Sequence, residues 1–151
     1  MSRAFVKEDD GEGDALPDRA ISSHPNYVTA EGLALIDAEL ARLGAALIAA
    51  GDDRALRASV ERDLRYWRAR HASAELVPPP QDHSVVHFGA TVTIRRDDGR
   101  EQTWRIVGED EADPAQGTLS YVAPLARALS GKAAGDTVEV AGGEAEIVAI
   151  R

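Results

Sequence analysis

Few side chains in this sequence have the types and spacing that chemistry requires. The chain has no cysteine, which excludes disulfides, thiolate metal sites and cysteine nucleophiles. His83 and His87 are separated by three residues around the predicted start of a strand, and His24 stands apart, so zinc is only a minor alternative. Serine nucleophile motifs, phosphate loops and dinucleotide fingerprints are also missing. We therefore predict that the protein is not an enzyme.

Charged residues gather around one predicted turn, Gly51-Asp52-Asp53. The simplest role for Asp52 or Asp53 is to cap the helix that follows. Glu61 and Arg65 form an ordinary i,i+4 pair on that helix. Its arginines either form a solvated face or contact a partner: Arg54, Arg57, Arg62, Arg65, Arg68 and Arg70. Because the formal net charge of the chain is -9, binding to duplex DNA by charge alone is not expected.

Two helices must position these residues. Thr29 is the predicted N-cap of the first helix. Its apolar seam has alternating steps of three and four: Leu33, Ile36, Leu40, Leu43 and Leu47. A second seam follows the turn: Leu56, Val60, Leu64, Trp67, His71 and Ala74. The pattern predicts an antiparallel helical hairpin, similar to a coiled coil, over residues 27–77, with a reach on the order of 30 Å.

The rest of the chain divides around this hairpin. Residues 1–26 are predicted to be a flexible acidic tail, with a docking motif at Phe5 and Val6 as the alternative. Three prolines from Pro78 predict a linker over residues 78–84. Residues 85–151 then predict a small antiparallel β-sheet domain with one helix, so the fold class is α+β. Its predicted elements are strands at Val85 to Arg95, Gln102 to Val107 and Thr118 to Val122, a helix from Pro124, and a final hairpin from Thr137 to Ile150.

Three strings in this second unit resemble the C-terminal domain of the bacterial Gre transcription elongation factors. The first two are Phe88-Gly89-Ala90-Thr91-Val92-Thr93-Ile94 and Gln102-Thr103-Trp104-Arg105-Ile106-Val107-Gly108-Glu109-Asp110-Glu111-Ala112-Asp113. The third is Ala123-Pro124-Leu125-Ala126-Arg127-Ala128-Leu129, followed by Gly131-Lys132, Gly135-Asp136 and Gly142-Gly143-Glu144. They occur in the family's order and cover nearly half of the chain.

The resemblance implies an FKBP-like domain that grips RNA polymerase at the mouth of its secondary channel, while the hairpin enters the channel. In Gre factors, acidic residues at the hairpin tip help to hold a magnesium ion of the polymerase active site. Asp52 and Asp53 are the candidates for that contact, and Arg54, Arg57 and Arg62 are candidates for contact with nascent RNA. The family pattern continues with Glu and Asn, where this chain has Ala55-Leu56 in a shorter hairpin. That difference argues against stimulation of RNA cleavage.

The resemblance also indicates a docking surface. It comprises the loop Glu109 to Asp113 and the segment Tyr121 to Leu129, with contacts expected at Asp110, Asp113, Ala123 and Pro124. The alternative function is regulation of another enzyme through the same domain, as in the related nucleoside diphosphate kinase regulator. Peptidyl-prolyl isomerase activity, suggested by the FKBP-like fold alone, needs a pocket lined by aromatic side chains. This domain offers only Phe88, Trp104 and Tyr121 for lining and core together.

The expected location is the cytoplasm, and the expected state is a monomer. No apolar run approaches the ~18 residues of a membrane span. The N-terminus is acidic after Lys7 and has no apolar stretch of the signal-peptide type, so secretion is not expected.

Overall fold

The helical hairpin is the first part of the fold. The computed structural model describes residues 15–151, and within them α1 (Ala30–Ala50) and α2 (Arg54–Ser73) pack against each other. The Thr29 hydroxyl caps α1 by accepting a hydrogen bond from the Gly32 amide at 3.0 Å. The buried seam between the helices consists of Leu43, Val60 and Leu64, with Leu40, Ala46, Leu47 and Trp67 packed around it. The predicted hairpin is therefore confirmed.

Two members of the predicted second seam lie outside this core. Leu56 is 46 % exposed. The imidazole of His71 faces α1 at the surface, where its Nε2 lies 3.2 Å from Asp37 Oδ1. An α-helix has 3.6 residues per turn, so a seam spaced at 3.5 rotates away from the partner towards its ends. The middle of the seam is buried, and its ends are not.

A short parallel pair of strands closes the base of the hairpin. In it, β1 (Tyr27–Val28) pairs with β2 (Glu75–Leu76), so the segment entering α1 is hydrogen-bonded to the segment leaving α2. Two-residue strands have no periodicity, which is why the sequence did not predict them. Residues 15–26 precede β1 and contact α2. Residues 1–14, which include the candidate motif Phe5-Val6, lie outside the described part.

The second part is a curled five-stranded sheet with one helix. Its strands are β3 (Thr91–Arg96), β4 (Glu101–Val107), β5 (Thr118–Ser120), β6 (Thr137–Val140) and β7 (Gly143–Ile150), and their order is β5-β4-β3-β7-β6. The helix α3 (Pro124–Leu129) begins at its proline and packs beside β6. Between α3 and the sheet lies an aliphatic core, in which Val92, Ile94, Leu129 and Ile147 are fully buried. The α+β prediction is confirmed.

Three details of the sheet differ from the predictions. The strands β4 and β5 run parallel, whereas a wholly antiparallel sheet was predicted. The strand predicted from Val85 begins only at Thr91, because Gly89 has a φ of 88° and the Val86 backbone is bonded to Gly131 and Lys132 instead. The strand predicted to reach Val122 ends at Ser120. Among the helices described here, none has the apolar length needed to cross a membrane.

Candidate functional site

The C-terminal unit has an open hollow of about 500 Å³ between α3 and the β6 edge of the sheet. Two of the predicted contact residues, Ala123 and Pro124, lie on its wall. Ala123 is the N-cap of α3, and Pro124 is the first residue of that helix. The wall is mostly aliphatic, and its two charged side chains have opposite sign: Leu119, Ala123, Pro124, Leu125, Val140 and Ala141, with Arg96 and Glu139. A hollow of this kind can receive an apolar side chain of a partner.

The loop after β4 does not line this hollow. Asp110 accepts a hydrogen bond from Arg70 of α2, with 2.5 Å between Oδ2 and Nε, and another from the hydroxyl of Tyr66. Burial, together with the bond to Asp110, raises the pKa of Tyr66 to about 12. Asp110 was predicted to contact a partner protein. In the structure it joins the two parts of the chain, and its contact with a partner stays a prediction.

Arg70 is the centre of this junction. Its side chain is only 2 % exposed, and its Nη2 donates to Asn26 Oδ1 at 2.7 Å. The amide of the Asn26 side chain donates in turn to the Arg70 carbonyl oxygen at 2.8 Å. The carboxylate of Glu109 lies 3.8 Å from the guanidinium. A buried guanidinium is tolerated when carboxylates and acceptors surround it in this way.

Glu111 makes the second connection between the two parts. Its carboxylate accepts hydrogen bonds from the Thr29 backbone amide at 3.0 Å, from the Thr29 hydroxyl, and from the Gly108 amide at 3.3 Å. The chain packs closely here: a Cβ added at Gly108 would lie 2.3 Å from the Tyr27 carbonyl oxygen. The base of α1 is thus held against the loop.

The remaining site residue of the loop, Asp113, has a local role. Its side chain accepts a hydrogen bond from the Ala115 amide at 3.2 Å and caps the short 3-10 helix Pro114–Gln116. The rings of Tyr27, Phe88 and Tyr121 pack together, with Phe88 edge to face against each tyrosine and the two tyrosine rings tilted against each other. These aromatic side chains link the base of the hairpin to the sheet, and they do not line the hollow.

The C-terminal part has clear relatives. The family model "Transcription elongation factor, GreA/GreB, C-term" matches residues 81–151. Residues 81–151 belong to the Gre family. The Gre-type domain begins inside the predicted linker, and the resemblance on which the prediction depended is confirmed.

Known Gre factors align with about two fifths to three fifths of this chain. GreB of Neisseria meningitidis serogroup B is 46 % identical over 81 residues, which are 52 % of this chain and 50 % of that protein. GreA of Hyphomonas neptunium is 61 % identical over 59 residues, 38 % of each chain. GreA of Cereibacter sphaeroides is 42 % identical over 97 residues, 61 % of this chain and 62 % of that one. The chain spans about half the length of the curated relatives that it matches.

Solved structures of similar proteins superpose only loosely. Gfh1 of Thermus thermophilus covers 85 % of this chain and 99 % of its own at 21 % identity, with a TM-score of 0.42. A GreA/GreB factor from Nitrosomonas europaea covers 85 % and 98 % at 22 % identity, with a TM-score of 0.41. At these scores the superpositions carry no argument about function.

The turn that precedes α2 is the tip of the hairpin. Asp53 is the N-cap of α2, and its Oδ1 accepts a hydrogen bond from the Leu56 amide at 3.1 Å. Asp52 is exposed beside it. Within residues 15–151 no group of three or more acidic or histidine side chains could hold a metal ion. Asp53 therefore has the capping role that was the simpler interpretation, and a magnesium contact at Asp52 and Asp53 stays a prediction.

Replacing Asp53 by alanine is expected to lower the free energy of unfolding by about 1 kcal/mol, because the first turn of α2 loses its cap. Asp52→Ala is the matched control and should change that free energy by less than about 0.5 kcal/mol. Urea unfolding followed by circular dichroism measures both. Equal losses in the two variants would mean that the cap does not support the helix.

The arginines of α2 have different surroundings. Arg57 lies 3.5 Å from Glu61 and donates to the Gly51 carbonyl oxygen at 3.2 Å. Arg62 lies 3.3 Å from Asp63. Arg54 also has an interaction partner within the chain. Contact of Arg54, Arg57 and Arg62 with RNA stays a prediction.

The histidines are not brought together. His83 lies 3.1 Å from the Pro80 carbonyl oxygen, and His87 lies 3.5 Å from Asp82. His24 lines a different surface hollow beside Tyr121 and Arg127. Sequence reasoning missed Asn26 and Tyr66, and it placed Glu111 in the docking loop without predicting its contact with the hairpin. The only signal was the run of three acids from Glu109, directly after an apolar strand.

Proposed function

We propose that this chain is a non-enzymatic Gre-like regulator that binds RNA polymerase near its secondary channel. The observation that carries the proposal is the match of residues 81–151 to the GreA/GreB C-terminal domain. The names of the relatives are those of transcription elongation factors, which supports a role in transcription without catalysis by the chain itself. The FKBP-like description of this domain is part of the same proposal.

The hollow between α3 and β6 is the surface that we assign to docking. It contains Ala123 and Pro124, and its aliphatic wall can be desolvated by an apolar side chain of the polymerase. Arg96 and Glu139 at the wall offer one charge of each sign to orient the partner. The acidic loop from Glu109 contributes less, because Asp110 and Glu111 already bind the hairpin.

The hairpin in this proposal occupies the channel mouth. Its first arm has 21 residues, which gives a reach of roughly 30 Å. Asp52 is the one acid of the Asp52-Asp53 turn whose carboxylate does not cap the helix. Any magnesium ion at the tip would need further carboxylates from the polymerase, because a hard cation takes six or more oxygen ligands. Blocking of the channel is therefore favoured over stimulation of cleavage.

Two assays test this function. The full chain should be retained by immobilised core RNA polymerase. In a backtracked elongation complex it should give no transcript cleavage by itself, and it should suppress cleavage by a conventional Gre factor as its concentration rises. Cleavage by the chain alone would contradict the blocking role and would give Asp52 and Asp53 a metal role. Absence of retention would favour the alternative, a regulator of another enzyme.

The docking surface has its own prediction. Pro124→Glu should weaken polymerase binding by at least about tenfold, because it places a charge where an apolar side chain is received. Glutamate is well tolerated in the first turn of a helix, so the fold should be kept. Ala134→Glu adds the same charge at an exposed position of the same domain outside the hollow, and it should bind normally. Surface plasmon resonance with immobilised polymerase measures both, and equal affinities would remove the hollow from the interface.

A further inference from the structure

A second surface hollow lies between the end of α3 and the segment that leads into β1. Its volume is about 350 Å³, within the range of roughly 300–1,000 Å³ that is usual for small-molecule sites. It shares no lining residue with the hollow between α3 and β6. We call it the α3-end hollow, and its lining residues are His24, Tyr121, Val122, Arg127 and Ser130.

Three side chains of the α3-end hollow can donate hydrogen bonds that the chain itself does not use. Within residues 15–151, the guanidinium of Arg127, the imidazole of His24 and the hydroxyl of Ser130 make no hydrogen bond or ion pair. The lining includes no acidic residue, although the chain has a formal net charge of -9. These donors are therefore available to an anion from outside.

The aromatic wall of this hollow is fixed in place. The Tyr121 hydroxyl donates a hydrogen bond to the Pro25 carbonyl oxygen, which also ties the backbone next to His24 to this wall. The Tyr121 ring packs against Tyr27 and Phe88, with ring centroids 5.4 and 5.7 Å apart. Because the ring is already positioned, a ligand that packs on it orders little side-chain motion when it binds.

Two groups near the hollow carry negative charge, and each is already compensated. The last carbonyl groups of a helix are partly negative, but the Ala126 carbonyl oxygen accepts a hydrogen bond from the Ser130 amide at 3.0 Å. The pKa of Tyr121 is raised mainly by burial and also by the Glu109 carboxylate. That carboxylate lies 3.8 Å from the guanidinium of Arg70. Neither group therefore offsets the positive charge of the arginine in the hollow.

The number of donors favours a phosphate monoester over a carboxylate. A guanidinium binds two oxygens of one anion through its paired N–H groups. A phosphate monoester has a third terminal oxygen, which the serine hydroxyl or the imidazole can bind, whereas a carboxylate has none left. The ester also carries an organic group, and Tyr121 with Val122 is the apolar surface beside the donors.

We propose that the α3-end hollow binds a small phosphate monoester whose organic group is flat, such as a nucleoside monophosphate. The phosphate is held by Arg127, Ser130 and His24. The organic group packs against Tyr121 and Val122. The proposal does not depend on polymerase docking, because the hollow assigned to docking has a different set of residues.

Binding is tested by two-dimensional NMR of the isotope-labelled full chain, titrated separately with adenosine monophosphate and with inorganic phosphate. Adenosine monophosphate should shift the amide signals of Val122, Arg127 and Ser130 and the Nε–H signal of Arg127, and the shifts should saturate. Its affinity should exceed that of inorganic phosphate by at least about threefold, because only the ester has a ring to bury against Tyr121.

Arg127→Gln should weaken binding of adenosine monophosphate by about tenfold, because it removes the paired N–H groups and their charge. Ser130→Ala should weaken it by about threefold through the loss of one hydroxyl donor. Lys132→Gln is the matched control, since it makes the same change in net charge at an exposed residue outside the hollow. That variant should bind within about twofold of the unmodified chain. The remaining signals of each spectrum show whether the fold is kept.

Three results would overturn the proposal. One is the absence of saturable shifts at ligand concentrations up to about 10 mM. Another is an equal loss of affinity in Arg127→Gln and Lys132→Gln, because binding would then reflect net charge alone. The third is equal affinity for adenosine monophosphate and inorganic phosphate, because the wall formed by Tyr121 and Val122 would then contribute nothing.

Discussion

Arg70→Ala should lower the free energy of unfolding by about 3–5 kcal/mol, because the carboxylates of Asp110 and Glu109 would then lie at the junction without a cation. The Asp110 side chain is only 10 % exposed, so water cannot fully replace the guanidinium. The variant also removes the Nη2 group that donates a hydrogen bond to Asn26 Oδ1, and Asn26 is only 5 % exposed. The loss should therefore exceed that from an ordinary surface arginine.

Two tryptophans allow this result to be localised. Trp67 lies in the hairpin and Trp104 in the sheet, so Trp67→Phe and Trp104→Phe backgrounds report urea unfolding of one part each. In the unmodified chain both should unfold together, and in Arg70→Ala the hairpin should unfold first, because an isolated short hairpin is only marginally stable. Arg68→Ala is the control, with a change below about 0.5 kcal/mol. A small loss in Arg70→Ala would show that the junction is held by other contacts.

Gly108→Ala is the second large effect. An added Cβ would lie 2.3 Å from the Tyr27 carbonyl oxygen and 3.2 Å from the Glu111 carboxylate. The Tyr27 oxygen belongs to the backbone of β1, so it can move only if the base of the hairpin moves. We expect a loss of about 1–3 kcal/mol from this overpacking, measured as the shift in urea midpoint.

The same substitution at Gly44 should have the opposite sign. Apart from its chain neighbours and the backbone of its own helix, no atom lies within 4 Å of a Cβ built at Gly44 in the middle of α1. Alanine stabilises a helix interior by roughly 0.5–1 kcal/mol relative to glycine. A similar loss of stability in both variants would mean that the close contact with the Tyr27 carbonyl oxygen is not the cause of the loss in Gly108→Ala.

The sequence predicted the elements that depend on local pattern. The steps of three and four from Leu33 to Leu47 define one helix face, and the Gly51-Asp53 break defines the turn, so the hairpin could be predicted from spacing alone. In the Gre-type domain, the glycines and Pro124 mark where strands and the helix begin and end. The parallel pairing of β5 with β4 had no such signal, because three residues have the same alternation in either direction.

The junction could not be predicted, because each of its residues taken alone is typical of a protein surface. Arg70 was one arginine among several on α2, and it is buried only because Asn26 and Asp110 reach it from 44 and 40 residues away. The same holds for Asp110, which was assigned to a partner because its loop carries one of the strings that resemble the Gre family. Which charged side chains pair inside the molecule depends on the folded structure and not on the local sequence.

The attachment of the hairpin has a consequence for its length. Within residues 15–151, the side-chain hydrogen bonds and ion pairs between the hairpin and the Gre-type domain come from its base: Thr29 and Glu31 at the start of α1, and Tyr66 and Arg70 near the end of α2. None of these bonds involves the tip. Seven residues added to each arm would extend it by about 10 Å while the apolar seam stays in phase. The length of the hairpin can therefore change in evolution while its attachment to the Gre-type domain stays the same.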